Sequence, residues 1–521
     1  MLTRKLFAIG FLGILLAGGL ALAEEPKYGG TLKVALASEP GTLDMQLTTG
    51  VAASIPARHI FEGLFAFDEN YTPKPMLLES WERSPDGKTV TFHLRKGVLF
   101  HNGKELVAED VVASLERWGK YGLTSKALWS HVQKLEAVDN YTVGMILDQP
   151  FAPLETYLAN IYGGPRIYPK EVAEAAGNEP IAPENYIGTG PYKFAEWKAG
   201  DYIRLVRFDR YVAREDKPSG FAGKRTAYFD ELIFYFVPED NARLVGVQAG
   251  TYDYVVNIPN DLYPDIEGDP NIVPIIADHP PIYPMALCNT IAGLTANVKI
   301  RQAILAALDM EPIMLAGYGD PKFWKLNGSY FAPGIRWYTA AGTEAYDQAD
   351  PEKAKRLLEE AGYNGEPLRL IVAGDMTAQY NQSLVVADQL KKAGFNVDLQ
   401  VYDKATFFAR RNDRENPQWE LAFSYYYTIP DPSLVLMLSP TYAGWWDTPQ
   451  KRILVEVLNQ ITDFKVRYKV WEAVMELWYI EVPAIKFGDA FQLHLKRAEL
   501  KGYGTDYINM GAAPYFWNSW K

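Results

Sequence analysis

Residues 350–402 read DPEKAKRLLEEAGYNGEPLRLIVAGDMTAQYNQSLVVADQLKKAGFNVDLQVY, and this stretch decides the fold class. Asp350 offers the side-chain acceptor that an N-cap needs, and Pro351 presets φ where the first helical N–H has no partner. Ala354, Leu357, Leu358 and Ala361 recur on one face of the helix, which Gly362 then stops. Residues 368–373 are an apolar run of strand length, residues 377–393 a second helix closed by Gly394, and residues 396–402 a second strand. A short helix near Phe407 and a third strand at 420–427 continue the series. Strands that alternate with helices need crossover connections, so they lie parallel in a sheet covered by helices. The C-terminal half therefore holds an α/β lobe.

Upstream the signals are strand-like. Residues 30–37 (GTLKVALA) are a buried strand and 38–44 the turn leaving it. Val90, Phe92 and Leu94 alternate with Thr91, His93 and Arg95 after the Pro85-Asp86-Gly87 turn, which predicts a half-buried strand. Glu109 and Asp110 open a helix with Val111, Val112, Leu115 and Trp118 on one face. Residues 187–191 (IGTGP) turn into a strand at 192–197 that pairs with one at 201–208. No internal repeat appears, and the prolines are scattered rather than gathered into a linker, which favours interleaved lobes.

Arg4 and Lys5 precede an apolar run from Leu6 to the small-residue signature Ala21-Leu22-Ala23, so residues 1–23 read as a secretory signal cut before Glu24. The run is short of the ~20 residues of a spanning helix, and no later stretch reaches that length. A soluble exported protein is expected. About 498 of the 521 residues then remain, more than one core usually supports. Basic side chains number 52 against 64 acidic, and losing Arg4 and Lys5 moves the formal charge from −12 to −14. That sign disfavours nucleic acid and anionic lipid as partners. Cys288 is the single cysteine, so no internal disulfide forms and none lies near the cut to carry a lipid; a small buried apolar residue is expected there. An unlipidated export points to the periplasm. The 13 Trp and 33 Tyr suit a core, and also a protein that encloses a ligand against flat apolar walls.

Nothing in the sequence carries catalysis. The 6 histidines, at 59, 93, 101, 131, 279 and 494, have no metal-ligand spacing. Residues 188–190 have too few glycines and no placed lysine for a phosphate loop, and no G-x-S-x-G elbow occurs. A glycosidase-like carboxylate pair cannot be recognised from sequence, because the working separation is spatial. An enzyme is kept only as a remote alternative, and no metal or cofactor is expected.

Residues 79–118, ESWERSPDGKTVTFHLRKGVLFHNGKELVAEDVVASLERW, resemble the signature region of the peptide/nickel-binding family of solute-binding proteins that feed ABC importers. GGTLKVALASEPGTLD near the start, NYIGTGPYKF at 185–194, CNTIAGLTANVKIRQAILAALD at 288–309 and YTIPDP at 427–432 stand in family order. The resemblance implies a periplasmic, monomeric protein of the two-lobed type II binding-protein fold, with permease subunits as partners. Lobe one would comprise 24–56, 186–277 and 489–521, with an extra subdomain at 57–185 inserted, and lobe two 278–488. The lobes would close about crossing segments at 277–284 and 483–487.

By the same resemblance the ligand, a small organic molecule, lies between the lobes. Glu39 and Thr42 supply one wall, with Tyr254 and Asn257; Tyr425, Tyr427, Thr428 and Asp431 form the reading loop, and Trp445 and Trp446 stand as apolar walls. Asn289 and Arg301 occupy family positions with a structural role. Peptide-binding relatives carry an aspartate just upstream of the loop's acidic-Pro pair. Aligning Asp431-Pro432 with that pair puts Thr428 at the aspartate's place, and the dipeptide carriers' carboxylate-binding arginine falls near Tyr380 or Asn381. A buried ammonium or carboxylate without its counter-charge is costly. A neutral oligosaccharide or sugar-like ligand is therefore expected first, and an aromatic or capped molecule second. A peptide carrier, with Asp431 or Asp447 at the ammonium, is the alternative within the fold, and a sensor or chaperone the alternative outside it.

Overall fold

The computed structural model describes residues 25–502 and 514–521. The expected leader and its cut before Glu24 lie outside the described residues.

Helix Pro351–Ala361 forms as its ends dictate: the Asp350 side chain accepts from Lys353 N, and Gly362 takes φ +73°. Strands Pro367–Ala373, Asn396–Tyr402 and Leu421–Tyr427 are parallel neighbours, with Pro367–Ala373 in the middle. Leu368, Leu370 and Val372 pack against Val386 and Leu390 of helix Thr377–Lys392, all fully buried, and each such side chain contributes about 1.5–3 kcal/mol. The α/β lobe expected from residues 350–427 is present.

The other lobe is built on strands Thr31–Leu36, Tyr192–Lys198, Tyr202–Arg207, Glu231–Phe236 and Tyr254–Ile258. Thr31–Leu36 runs parallel to both Glu231–Phe236 and Tyr254–Ile258, and the 192–198/202–207 hairpin extends that sheet antiparallel. Gly188 and Gly190 of the turn before the hairpin are needed for close approach, since a Cβ would stand 2.0 Å from Ile60 O and 2.4 Å from His59 O respectively. A separate antiparallel sheet, Leu78–Arg83, Thr89–Leu94, Thr142–Leu147 and Val132–Asp139, carries the signature region.

Two strands cross between the lobes, Ile272–Cys288 and Asp489–Arg497, the latter pairing with Trp324–Lys325 at its start and with Tyr254–Ile258 further along. Ile272–Cys288, 17 residues long, pairs with Asp489–Arg497 over Ile272 to Ala277 and again at Ile282, then with Leu421–Tyr427 from Ile282 to Cys288. The twelve-stranded sheet is continuous through it. Away from this crossing the inserted region also meets lobe two: Ala152 N donates to Asn459 O at 2.8 Å and Arg336 N to Asn70 O at 3.2 Å.

Candidate ligand-binding cleft

Side chains alternate along a strand, so Tyr425 and Tyr427 share a face at the carboxyl end of Leu421–Tyr427, where the buried run of Leu421 and Phe423 gives out. Their rings meet edge to face at 5.8 Å and 87°. They border a cavity of about 400 Å³ with Met376, Lys404, Tyr426 and Tyr442. Tyr427 is 42% exposed, an unusual state for a large aromatic. A second cavity, about 580 Å³, lies between the lobes: Asn260, Asp261 and Tyr263 come from one, and Tyr318, Thr377 and Asn381 from the other. Asn381, where the dipeptide carriers' arginine was aligned, thus lines an interlobe cavity with no basic side chain among its lining residues.

The other expected site residues part into three groups. Thr428 is buried and its hydroxyl donates to Pro281 O at 2.7 Å, so it ties the loop to the crossing strand and has no proton to offer a ligand. Asp431 is 1% exposed, paired with Arg467 through both carboxylate oxygens, and caps the turn Pro432–Leu434. Its charge is spent, so it cannot also hold a ligand ammonium. Trp445 and Trp446 are core, not wall, each 2% exposed: Trp445 lies against Trp419, while the Trp446 indole donates to Glu481 and meets Trp478 at 82°.

Tyr254 is likewise core, fully buried against His494 and Phe516. Asn257 is exposed at φ +57°, with its carbonyl accepting from Arg243 and its side chain from Gln492. Glu39 is exposed and accepts from the Trp197 indole at 2.8 Å and Gly200 N at 3.0 Å. Thr42 accepts from Asp44 N and meets the Tyr186 hydroxyl. Glu39 and Thr42 line a depression of lobe one that shares no lining residue with either cavity above. Asn289 and Arg301 are buried and bonded to main chain, Asn289 to Trp419 O and Arg301 to Thr295 O and Glu481 O. Cys288 is buried, and burial pushes its thiol up to about 12. No group of three or more His, Cys, Asp or Glu that could hold a metal occurs among the described residues.

Sequence reasoning missed the tyrosines opposite. Burial raises the Tyr427 phenol, with a further push from the charges of Tyr425 and Tyr162, and burial raises Tyr318, with a further push from Tyr425 and Tyr427. Their sequence separation hides this cluster; an isolated tyrosine carries no signal.

The sequence pattern of the bacterial extracellular solute-binding proteins, family 5, matches residues 72–445. The chain belongs to that family. The "Probable peptide ABC transporter periplasmic-binding protein" of Sinorhizobium fredii is 29% identical over 479 residues, 88% of each chain. Heme-binding protein A of Haemophilus influenzae is 30% identical over 493 residues, covering 87% of this chain and 86% of that one. The solved ABC transporter substrate-binding protein CtaP of Listeria monocytogenes superposes with a TM-score of 0.81 at 25% identity, covering 94% and 98%. The two-lobed fold of the family 5 proteins and a solute-binding role in ABC transport follow from this membership.

Proposed function

We propose that this family 5 protein is the periplasmic, monomeric component of an ABC importer, and that its ligand is a peptide or peptide-like molecule rather than an oligosaccharide. The ligand would be enclosed by lobe one (24–56, 186–277 and 489–521, with 57–185 inserted) and lobe two (278–488) and passed to the permease without chemical change. The carrying observation is the Tyr425–Tyr427 pair, half-exposed at a strand end beside the 400 Å³ cavity. Phenol rings and edge main chain suit an extended, amide-rich ligand, to which both aromatic and hydrogen-bonding contacts are useful.

The expectation of a sugar rested on the missing counter-charges at Thr428 and near Tyr380 or Asn381, and on a polar and aromatic lining that included Thr428, Trp445 and Trp446. Those groups are occupied with Pro281, Trp419 and Glu481, so the reading loses its stacking surfaces and its hydroxyl. Names among the relatives favour peptides as well. Calorimetry with di- to pentapeptides against neutral oligosaccharides tests the proposal, together with mass spectrometry of whatever copurifies. Micromolar or tighter peptide binding is expected; sugar binding with silent peptides would reverse it.

A further inference from the structure

Behind the lobe-one wall, Arg58, Arg166 and Arg225 line a cavity of about 30 Å³ together with a single carboxylate, that of Glu62. All four side chains are at least nine-tenths buried. Both Glu62 oxygens are engaged, Oε2 by the Thr189 hydroxyl at 2.9 Å and Oε1 by the Tyr211 hydroxyl at 2.9 Å and Arg225 Nη1 at 3.2 Å. Arg166 donates to two main-chain carbonyls, Pro165 O and Asn160 O. Arg225 gives Nη2 to Phe221 O, but its Nε–H is buried with no acceptor among the described residues. The guanidinium lies over Trp517, 4.2 Å from the ring centroid, and Arg58 lies over Phe221 at 4.6 Å.

A buried N–H without an acceptor costs about 1–3 kcal/mol, more when the group is charged. Burial brings Arg166 down to about 10, helped by the Arg58 and Arg225 charges and opposed by Tyr168. A cavity of this size is about two to three times the roughly 10–15 Å³ that a single water needs.

We propose that this cavity is an anion subsite, filled by one compact monoanion, either a free halide or the carboxylate of the captured solute. Arg225 Nε and the field of the three guanidinium groups hold the anion, and the Phe221 and Trp517 rings close the site. Arg58 also bonds to Tyr162, whose charge in turn acts on Tyr427, so the subsite lies within electrostatic reach of Tyr427. The halide arm is independent of the peptide reading; only the carboxylate arm rests on it.

The test uses the whole mature protein. Crystals grown in sodium bromide should show an anomalous peak in the cavity. The melting temperature should rise saturably with bromide at constant ionic strength, with isethionate, too bulky for the cavity, as the balancing anion. Arg166→Gln and Arg225→Lys should each weaken bromide binding at least tenfold, and the wild-type anomalous map decides if either fails to fold. Displacement of bromide by a free-acid peptide and not by its C-terminal amide assigns the site to the solute's carboxylate. Lack of displacement assigns it to a resident halide. A cavity holding water only, with no saturable response, overturns the proposal. A protein that binds no peptide yet holds bromide sinks the peptide reading and leaves the subsite standing.

Discussion

Arg467 holds Asp431 through two hydrogen bonds of 2.6 Å, with the two side chains 6% and 2% exposed. Nε of the same arginine donates to Leu458 O, and its plane lies 4.9 Å from the Trp337 ring centroid. The pair is therefore a structural clamp under the reading loop. Asp431→Asn leaves a buried cation half-satisfied and should cost about 3–5 kcal/mol of stability. In the fraction that folds, peptide affinity should stay within twofold of wild type; denaturant unfolding and calorimetry on the same sample separate the two effects.

Tyr427 behaves in the opposite way. Its ring is partly exposed and spans no core, so Tyr427→Ala should change stability by less than about 1 kcal/mol. Ligand affinity should fall about ten- to a hundredfold, the worth of one well-buried aromatic contact in the complex. An unchanged Kd would remove Tyr427 from the site.

Trp446→Phe supplies the contrast. It deletes the indole donor to Glu481, which also accepts from Thr448, and should cost about 2–3 kcal/mol. Ligand affinity and the ligand-induced fluorescence change should both persist, because the lost fluorophore stands in the core.

Acid should destabilise the protein early. His59, His101 and His494 each accept a backbone N–H, from Phe516, Gly188 and Asn257. Burial lowers them from 6.5 to about 3, 4 and 4, helped at His59 by the Arg58 charge. The folded values lie below the unfolded one, so the unfolded chain binds more protons between about pH 4 and 6.5. Stability is full above 6.5 and falls as pH drops, by up to about 1.4 kcal/mol per pH unit for each histidine. Urea midpoints at pH 7.5, 6 and 5 should decline progressively, and a flat profile would show that the three rings are not neutral acceptors.

Ligand binding should shrink the molecule. The interlobe cavity joins Asn260 and Tyr263 to Tyr318 and Asn381 across the cleft, and a ligand touching both sides favours the closed form by its differential affinity. Solution scattering should give a smaller radius of gyration with saturating ligand; superimposable curves would exclude closure.

The parallel lobe was legible because its signals are local. Asp350, Pro351 and Gly362 mark one helix within a dozen residues, and strand and helix periods differ enough to be told apart. The crossing strand was not legible from its pattern, because Pro274, Pro280, Pro281 and Pro284 interrupt it and proline argues against a central strand. Its place came only from the family resemblance. In the site, Tyr425 and Tyr427 came from the family resemblance; alternation places them on one face only once the strand itself is known. Trp445 and Trp446 were misread, since a loop tryptophan looks the same in sequence whether it faces a ligand or Trp419. The partner of Asp431 lies 36 residues away and that of Glu62 lies 163 away, separations that no motif spans.

The register break in strand Ile272–Cys288, between Ala277 and Ile282, sets the energy scale of motion. Ladder pairing is complete on either side, with Gln492 and Arg497 among the partners below and Tyr425 and Tyr427 among those above. Rotation about residues 278–281, together with a bend of Asp489–Arg497 between Ala490 and Gln492, would turn one lobe against the other while rupturing none of those rungs. Opening would then be a torsional excursion rather than a local unfolding event. The two crossing strands would then act as torsion wires, keeping the lobes in register as they turn and leaving the ladder hydrogen bonds out of the balance between open and closed.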